Sequence, residues 1–181
     1  MSARDRILKA AAEIAATEGV LSLGIDNVNR RAGVSKGAFF YHFKSKDEMV
    51  FALLDSVFND FDQRMEARIQ LGHPVLESMV DVALEEVRER GELIGSLVAA
   101  ISIDASLAEK VRARSGCWHE RAAEQSGLTD GSCALFQLLL DGLFMSTIMK
   151  GPQRTAEQYA QLRELILGAI SAHQEARLSA H

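Results

Sequence analysis

The sequence has little of what defines several large classes of protein. Its 181 residues include two prolines and two cysteines, and the cysteines are not in CxxC spacing. Two isolated cysteines make neither a disulfide framework nor a zinc site, so we expect Cys117 and Cys133 to be free thiols, with a redox-sensing role as the alternative. Scarce proline and the absence of strand-like alternation exclude an all-β fold and favour helices.

Long apolar runs are also absent. The longest uncharged stretch, residues 93–103, has eleven residues, whereas a membrane-spanning helix needs about 20. The first residues, MSARDRILKAAAEIAA, place charges close together and lack the apolar core of a signal peptide. These observations predict a cytoplasmic protein with no membrane contact.

The sequence lacks the motifs that mark common active sites. It contains no GxSxG, GxGxxG, Walker or HExxH pattern. Cys117 and His119 are two residues apart, which on a helix points them to different faces, and with Glu120 they form no known metal-ligand pattern. We predict that the protein is not an enzyme and holds no metal or cofactor.

Net charge is negative overall but unevenly distributed. The whole chain carries −5, whereas residues 1–50 hold eight basic and six acidic side chains. The first quarter is therefore mildly basic and the remainder acidic. A polyanionic partner would meet the N-terminal part, although so small an excess is weak evidence by itself.

Apolar residues recur at helical spacing along the whole chain, which predicts an all-α fold of about nine helices. Local signals set their ends: glycines follow the first two helices, and capping boxes begin helices at Ser45 and Thr155. The predicted helices span approximately residues 4–18, 25–32, 36–43, 46–71, 74–90, 92–102, 105–126, 131–150 and 156–173.

Two of these helices, 25–32 and 36–43, flank a turn at Gly33, which is the helix-turn-helix pattern. The second would display Lys36, Gly37, Phe40, Tyr41 and His42. Lysine donates to guanine or phosphate, glycine permits close approach of the backbone, and tyrosine and histidine donate to phosphate. From periodicity alone, a plain three-helix unit with phenylalanines in its core remains the alternative.

The stretch GVSKGAFFYHFKSKDEM, residues 33–49, resembles the recognition helix and following helix start of the tetracycline-repressor (TetR) family of bacterial transcriptional regulators. The first helix, RDRILKAAAEIAATEG, is similar to theirs as well. The resemblance implies a DNA-binding domain over residues 1–46 and a larger helical ligand-binding and dimerisation domain over residues 47–181.

The resemblance also implies roles at matching positions. Lys36 and Gly37 correspond to contacts with base edges, Tyr41, His42 and Lys46 to phosphate contacts, and Ser35 to the cap of the recognition helix. The DNA-binding set that we predict is Ser35, Lys36, Gly37, Ala38, Phe40, Tyr41, His42 and Lys46.

The sequence departs from the family pattern in three places. Phe40 stands where the family usually has tyrosine, Leu23-Gly24 where it has threonine or serine before the second helix, and Val28-Asn29 where it commonly has Ile-Ala. A hydroxyl that would contact phosphate is absent at the first two. Each lost hydrogen bond weakens affinity by about 1 kcal/mol, and an alternative reading is a helical interaction module that no longer binds DNA.

Two C-terminal helices are apolar on more than one face, which predicts a second partner besides their own core. The resemblance implies a homodimer built from the last two helices, and Gly142 would permit close approach. The predicted interface residues are Leu139, Gly142, Leu143, Leu162, Ile166 and Ile170. The alternative is a single helix buried centrally within a monomer.

The middle helices carry large and adaptable apolar side chains, which suit either ordinary core or a pocket for a mostly apolar small molecule. The predicted ligand-binding residues are Phe61, Met65, Met79, Leu97, Ile101, Trp118 and His119. Together with the resemblance, they predict a regulator, most simply a repressor, that binds a palindromic operator as a homodimer and is released by a ligand; activation by the same fold is the alternative.

Overall fold

The structure is a computed structural model that describes residues 1–149 and 154–178, with the backbone alone for 173–178. Within these residues the chain forms eight α-helices and no strand, which confirms the predicted all-α fold. The helices are α1 (Ala3–Glu18), α2 (Ile25–Ala32), α3 (Lys36–His42), α4 (Lys46–Gln70), α5 (Val75–Ile103), α6 (Ala105–Ser126), α7 (Asp130–Ile148) and α8 (Ala156–Leu178), with a 3-10 turn at Val20–Ser22 after α1.

The helix ends follow the local signals. Ser45 Oγ accepts a hydrogen bond from the backbone N–H of Glu48 at 3.1 Å, and Thr155 and Gln158 exchange both bonds of a capping box. Gly33 ends α2 in the left-handed conformation, at φ 63°, which glycine adopts without a steric penalty. The predicted end of α7 near residues 150–152 lies outside the described residues.

The predicted separation of two helices near Gly91 is confirmed as a kink. Val75–Ile103 consists of two helical segments joined at Arg90, whose backbone is non-helical at φ −130° and ψ 24°, and the two segments together are numbered α5. Counting them as one gives eight α-helices in the described residues where about nine were predicted. A second change of direction comes after Ile103, where α6 turns back by 117° and Asp104 caps it through the N–H groups of Ser106 and Leu107.

The bent helix α5 is shared by two hydrophobic cores. The first core joins α1, α2 and α3 to the start of α4 and to Leu93, Leu97 and Ala100 of α5. The second joins the earlier half of α5, including Val80 and Ala83, to α4, α6, α7 and α8. The N-terminal helix-turn-helix unit is therefore packed on the same helix that forms the centre of the larger helical part.

Helices α5 and α7 lie close together at Gly95. A Cβ atom placed there would lie 3.0 Å from the carbonyl oxygen of Thr147, which is tighter than most Cβ contacts. Glycine therefore suits this close approach of the two backbones. Nearer the start of α5, ion pairs connect this helix to α8. Arg163 of α8 donates to Asp81 at 2.5 Å and to Glu77 at 3.1 Å. The Asp81 carboxylate raises the pKa of Arg163.

Helix α7 is long and apolar enough to cross a bilayer by length and composition. The sequence-based expectation missed this because Asp141 interrupts the uncharged run. A carboxylate at mid-helix is costly in lipid, and Phe136, Leu140 and Leu143 are buried in the second core. These features are those of a helix in a protein core. A core helix can be as long and as apolar as a membrane-spanning one.

Candidate nucleic-acid interface and ligand cavity

The recognition helix α3 is capped at its N-terminus and packs against the first core through one face. Ser35 Oγ accepts a hydrogen bond from the N–H of Ala38 at 3.1 Å, which caps the helix. Phe39 is fully buried in the first core, so the opposite face of α3 points outward. Lys36 and Gly37 are exposed on that face, and Tyr41 is 85% exposed.

The other predicted contacts lie beside these. Phe40 is 45% exposed and packs edge-on against Phe39 at 5.5 Å between ring centroids. His42 is half-buried and meets the Tyr41 ring at 5.0 Å. Ala38 and Lys46 are half-buried. All eight predicted residues thus lie on α3, its cap and the first residue of α4.

Sequence reasoning did not include Lys44, which is exposed between α3 and α4. Its backbone N–H donates to Glu48 Oε2 at 2.6 Å, which fixes the link between the two helices. With Lys36 and Lys46 it gives this end of the molecule three cations around two exposed aromatic side chains. Such a surface suits phosphate and base-edge contacts.

Helix α2, which supports α3, has two imperfections. Its cap is Gly24, which makes no side-chain hydrogen bond. Asn29 is 6% exposed, and neither its amide nitrogen nor its carbonyl oxygen has a hydrogen-bond partner. A buried polar group without a partner costs about 1–3 kcal/mol, so this departure from the family pattern weakens the domain's own stability.

We expect Asn29→Ala to raise the free energy of unfolding by about 1–2 kcal/mol, because it removes the unpaired amide and favours the helix. Urea denaturation of the two proteins measures the difference. The matched control is Asn27→Ala on the same helix, whose amide is paired with Glu18 at 3.2 Å and with Arg30 at 2.7 Å. That control should lower stability, and a loss of stability in Asn29→Ala would show that the Asn29 side chain is satisfied in solution.

A cavity of about 470 Å³ lies between α4, α5, α6 and α7. Its walls are mostly apolar and include six of the seven predicted ligand-binding residues: Phe61, Met79, Leu97, Ile101, Trp118 and His119. The seventh, Met65, is fully buried in the second core and is not among the residues that line this cavity.

The cavity also has lining residues that sequence reasoning missed, among them Leu54, Val57, Glu86, Phe144 and Met145. Phe144 and Met145 belong to α7, for which the sequence predicted contacts with its own core and with a second protomer but no contact with a ligand. The sequence did contain an indication of this contact. Helix α7 is apolar nearly all round, which indicates that one of its faces packs against the middle helices.

Most of the polar groups around the cavity form hydrogen bonds with other protein groups. Trp118 Nε1 donates to Asp62 Oδ1 at 2.7 Å. Glu86 is 1% exposed, and Arg90 donates to both of its carboxylate oxygens. His119 Nδ1 lies 2.8 Å from the carbonyl oxygen of Ser115, whereas its Nε2 is buried and has no partner.

The six predicted dimer-interface residues differ in their exposure within the protomer. Leu143, Ile166 and Ile170 are buried in the protomer's own second core, and Leu139 and Leu162 are half-buried against that core. Of the six, Gly142 is exposed. The first three therefore contribute to the core of the protomer itself.

The comparisons with known proteins agree with this architecture. The family model described as "Bacterial regulatory proteins, tetR family" matches residues 7–53, and the model "Tetracyclin repressor-like, C-terminal domain" matches residues 73–171. The chain therefore belongs to the TetR family of bacterial transcriptional regulators, with a DNA-binding helix-turn-helix at its N-terminus. Because this is a family of regulators, the prediction that the chain is not an enzyme is confirmed.

The curated relatives match over part of their length. The chain is 42% identical over 53 residues to the HTH-type transcriptional regulator SrpR of Pseudomonas putida, covering 29% of this chain and 25% of that protein. It is 28% identical over 116 residues to the HTH-type transcriptional regulator CymR of Pseudomonas putida, covering 62% and 57%. The matched stretch thus spans a quarter of the first relative and little more than half of the second.

Solved structures share the fold over nearly the whole chain. A transcriptional regulator from Rhodococcus sp. Rha1 matches with a TM-score of 0.78 at 24% identity, covering 93% of this chain and 96% of that one. The multidrug binding protein EbrR, solved in complex with imidazole, matches with a TM-score of 0.68 at 20% identity, covering 92% and 94%. At these identities the likeness shows the fold alone.

Proposed function

We propose that this protein is a cytoplasmic, homodimeric repressor that binds a near-palindromic operator and releases it when a small, mostly apolar molecule enters the cavity. The observation that carries the proposal is the outward face of α3, where Lys36, Gly37 and Tyr41 are exposed on a capped helix. The DNA-binding residues would be the eight predicted ones together with Lys44, in a domain that ends near residue 46.

Dimerisation is supported by an apolar face that the protomer leaves uncovered. We call it the α7–α8 face; its members are Leu135, Leu138 and Met145 of α7 and Leu165 of α8. Leu138 is 68% exposed and Leu165 is 70% exposed. Two such helices from each protomer make a four-helix interface with Gly142 on its surface. The two-fold axis would then place two copies of α3 about 34–36 Å apart, in successive major grooves.

Release by a ligand is supported by the shared helix α5. Leu97 belongs to the first core and also lines the cavity, so a molecule in the cavity touches a side chain that supports α1–α3. A ligand that fits one bend of α5 better than another shifts the separation of the two recognition helices. DNA and ligand then weaken each other's binding reciprocally.

We expect Lys36→Ala combined with Tyr41→Ala to weaken specific DNA binding at least about a hundredfold, because each dimer loses two contacts per half-site and a specific contact contributes about 1–3 kcal/mol. Fluorescence anisotropy on the intergenic DNA beside the gene, with random DNA as competitor, measures the loss. Lys110→Ala, on α6, removes the same charge outside the predicted DNA-contact set, where Lys110 Nζ lies 3.7 Å from the Phe51 ring centroid, and should leave affinity unchanged.

A double variant that folds, dimerises and binds operator as tightly as the parent would contradict the assignment of α3. The same assay at several salt concentrations should give a steep negative slope for the parent, because phosphate contacts release counterions. The slope should be shallower by about one or more for the double variant. A parent that shows no preference over any genomic fragment would favour the interaction module instead.

A further inference from the structure

The cavity has an unusual balance of charge among its lining groups. Among residues 1–149 and 154–172, no lysine or arginine lines it, whereas two carboxylates, Glu86 and Asp141, do. A ligand carboxylate or phosphate would enter a mostly apolar, low-dielectric space without a cation to pair with and beside groups of like charge. The desolvation of an unpaired charge costs several kcal/mol. These walls therefore disfavour anions.

A cationic ligand also finds little to pair with inside. Arg90 occupies both carboxylate oxygens of Glu86, and Arg64 lies 3.8 Å away on another side. Asp141 is exposed, so its charge lies at the rim and is screened by water. The interior favours an uncharged molecule.

The ring of His119 has one buried nitrogen, Nε2, without a hydrogen-bond partner. The Ser115 carbonyl can only accept, so the 2.8 Å contact places the hydrogen of His119 on Nδ1. In the neutral imidazole Nε2 is then an acceptor, and it is buried without a partner. Two other polar groups of the lining have protein partners: Ser115 Oγ donates to the Val111 carbonyl at 2.9 Å, and the Trp118 N–H donates to Asp62. Gln137 also lines the cavity, and it is exposed.

We propose that the cavity binds an uncharged, largely aromatic molecule with one hydroxyl group, and that this hydroxyl donates a hydrogen bond to Nε2 of His119. Four aromatic side chains, Phe58, Phe61, Trp118 and Phe144, line the cavity and supply faces and edges for ring packing. The volume of about 470 Å³ accommodates two or three rings. The inference rests on the proposed function only in taking this cavity as the effector site.

The test uses the full chain and its single tryptophan, Trp118, which lines the cavity and reports occupancy by its fluorescence. Four matched probes are titrated: 4-hydroxybiphenyl, 4-methoxybiphenyl, biphenyl-4-carboxylate and biphenyl-4-ylmethylammonium. Isothermal calorimetry repeats the titrations without relying on fluorescence. We expect the hydroxyl probe to bind at least about tenfold more tightly than each of the other three, since it alone is an uncharged hydroxyl donor.

Variants at His119 identify the acceptor. His119→Phe keeps an apolar ring and should abolish the preference for hydroxyl over methoxy. His119→Gln retains an acceptor oxygen and should preserve most of it. Circular dichroism confirms that each variant is folded, and Cys117→Ser, two residues away on the exposed side of α6, is the control that should change nothing.

Three results would overturn the inference: the carboxylate or ammonium probe binding as tightly as the hydroxyl probe, the hydroxyl preference surviving in His119→Phe, or none of the four probes binding up to its solubility limit. Operator release is measured separately by anisotropy. A hydroxyl probe that binds with the expected preference but leaves the operator bound would contradict the proposed ligand-controlled release and leave the ligand class intact.

Discussion

Arg90→Met is expected to lower the free energy of unfolding by about 3–5 kcal/mol, the loss typical of removing one partner from a buried ion pair. Glu86 is 1% exposed and depends on Arg90 for two hydrogen bonds. Without the guanidinium its carboxylate has Arg64 at 3.8 Å, too far for a hydrogen bond. Arg90 also donates to Asp60 of α4 at 2.9 Å, so the substitution loosens α4 from α5 as well.

Two controls separate the buried charge from other causes. Arg88→Met, two residues earlier, breaks a single ion pair with exposed Glu89 and should cost less than about 1 kcal/mol. Glu86→Leu combined with Arg90→Met removes both charges and should recover at least about 2 kcal/mol relative to Arg90→Met. Denaturant midpoints and slopes measure all three. If the double variant is no more stable than Arg90→Met, the loss comes from the bend and not from Glu86.

Leu138→Glu combined with Leu165→Glu is expected to convert the proposed dimer to folded monomers. Both leucines are mostly exposed in the protomer, so the substitutions leave its core intact. In the dimer they would place four carboxylates in the α7–α8 face, where central apolar contacts contribute about 2 kcal/mol or more each. The dimer dissociation constant should therefore rise at least about a thousandfold. Sedimentation at several concentrations measures it.

The controls for the dimer test lie in the same chain. Leu71→Glu changes an equally exposed leucine, at the end of α4, and should leave the assembly unchanged. Leu143→Glu alters a residue that is buried in the second core and should unfold the protein. Operator affinity should fall together with dimerisation in the double variant. A variant that stays dimeric would show that the two copies meet elsewhere.

The sequence was most informative where structure is decided locally. The starts of α3, α4 and α8 were predictable because Ser35, Ser45 and Thr155 bond to N–H groups three residues away. The recognition helix followed from the same local pattern, since Phe39 faces inward and the residues around it face outward.

The positions of individual side chains within the larger helical part were less predictable, because they depend on contacts between residues far apart in the sequence. Met65, Leu143 and Ile166 were assigned to a ligand site or an interface, and all three lie in the second core. A helix that is apolar nearly all round does not reveal which face meets its own protomer. The break near Gly91, by contrast, was predicted correctly and is the kink at Arg90. The hydrogen bonds from Arg90 to Glu86 and Asp60 depend on the fold and could not be predicted from the sequence.

The kink at Arg90 can act as a pivot for the second segment of α5, which then moves as a rigid arm. Ile103 lies thirteen residues beyond Arg90 on this helix, a length of about 20 Å at 1.5 Å per residue. A change of about 5° at Arg90 would therefore displace that end by about 1.7 Å, similar to the helix shifts of 1–2 Å found in switching proteins. Leu93, Leu97 and Ala100 lie along the arm within the first core, so each is displaced in proportion to its distance from the pivot. The stiffness of one backbone position would then govern how closely the two halves of a dimer match the pitch of DNA.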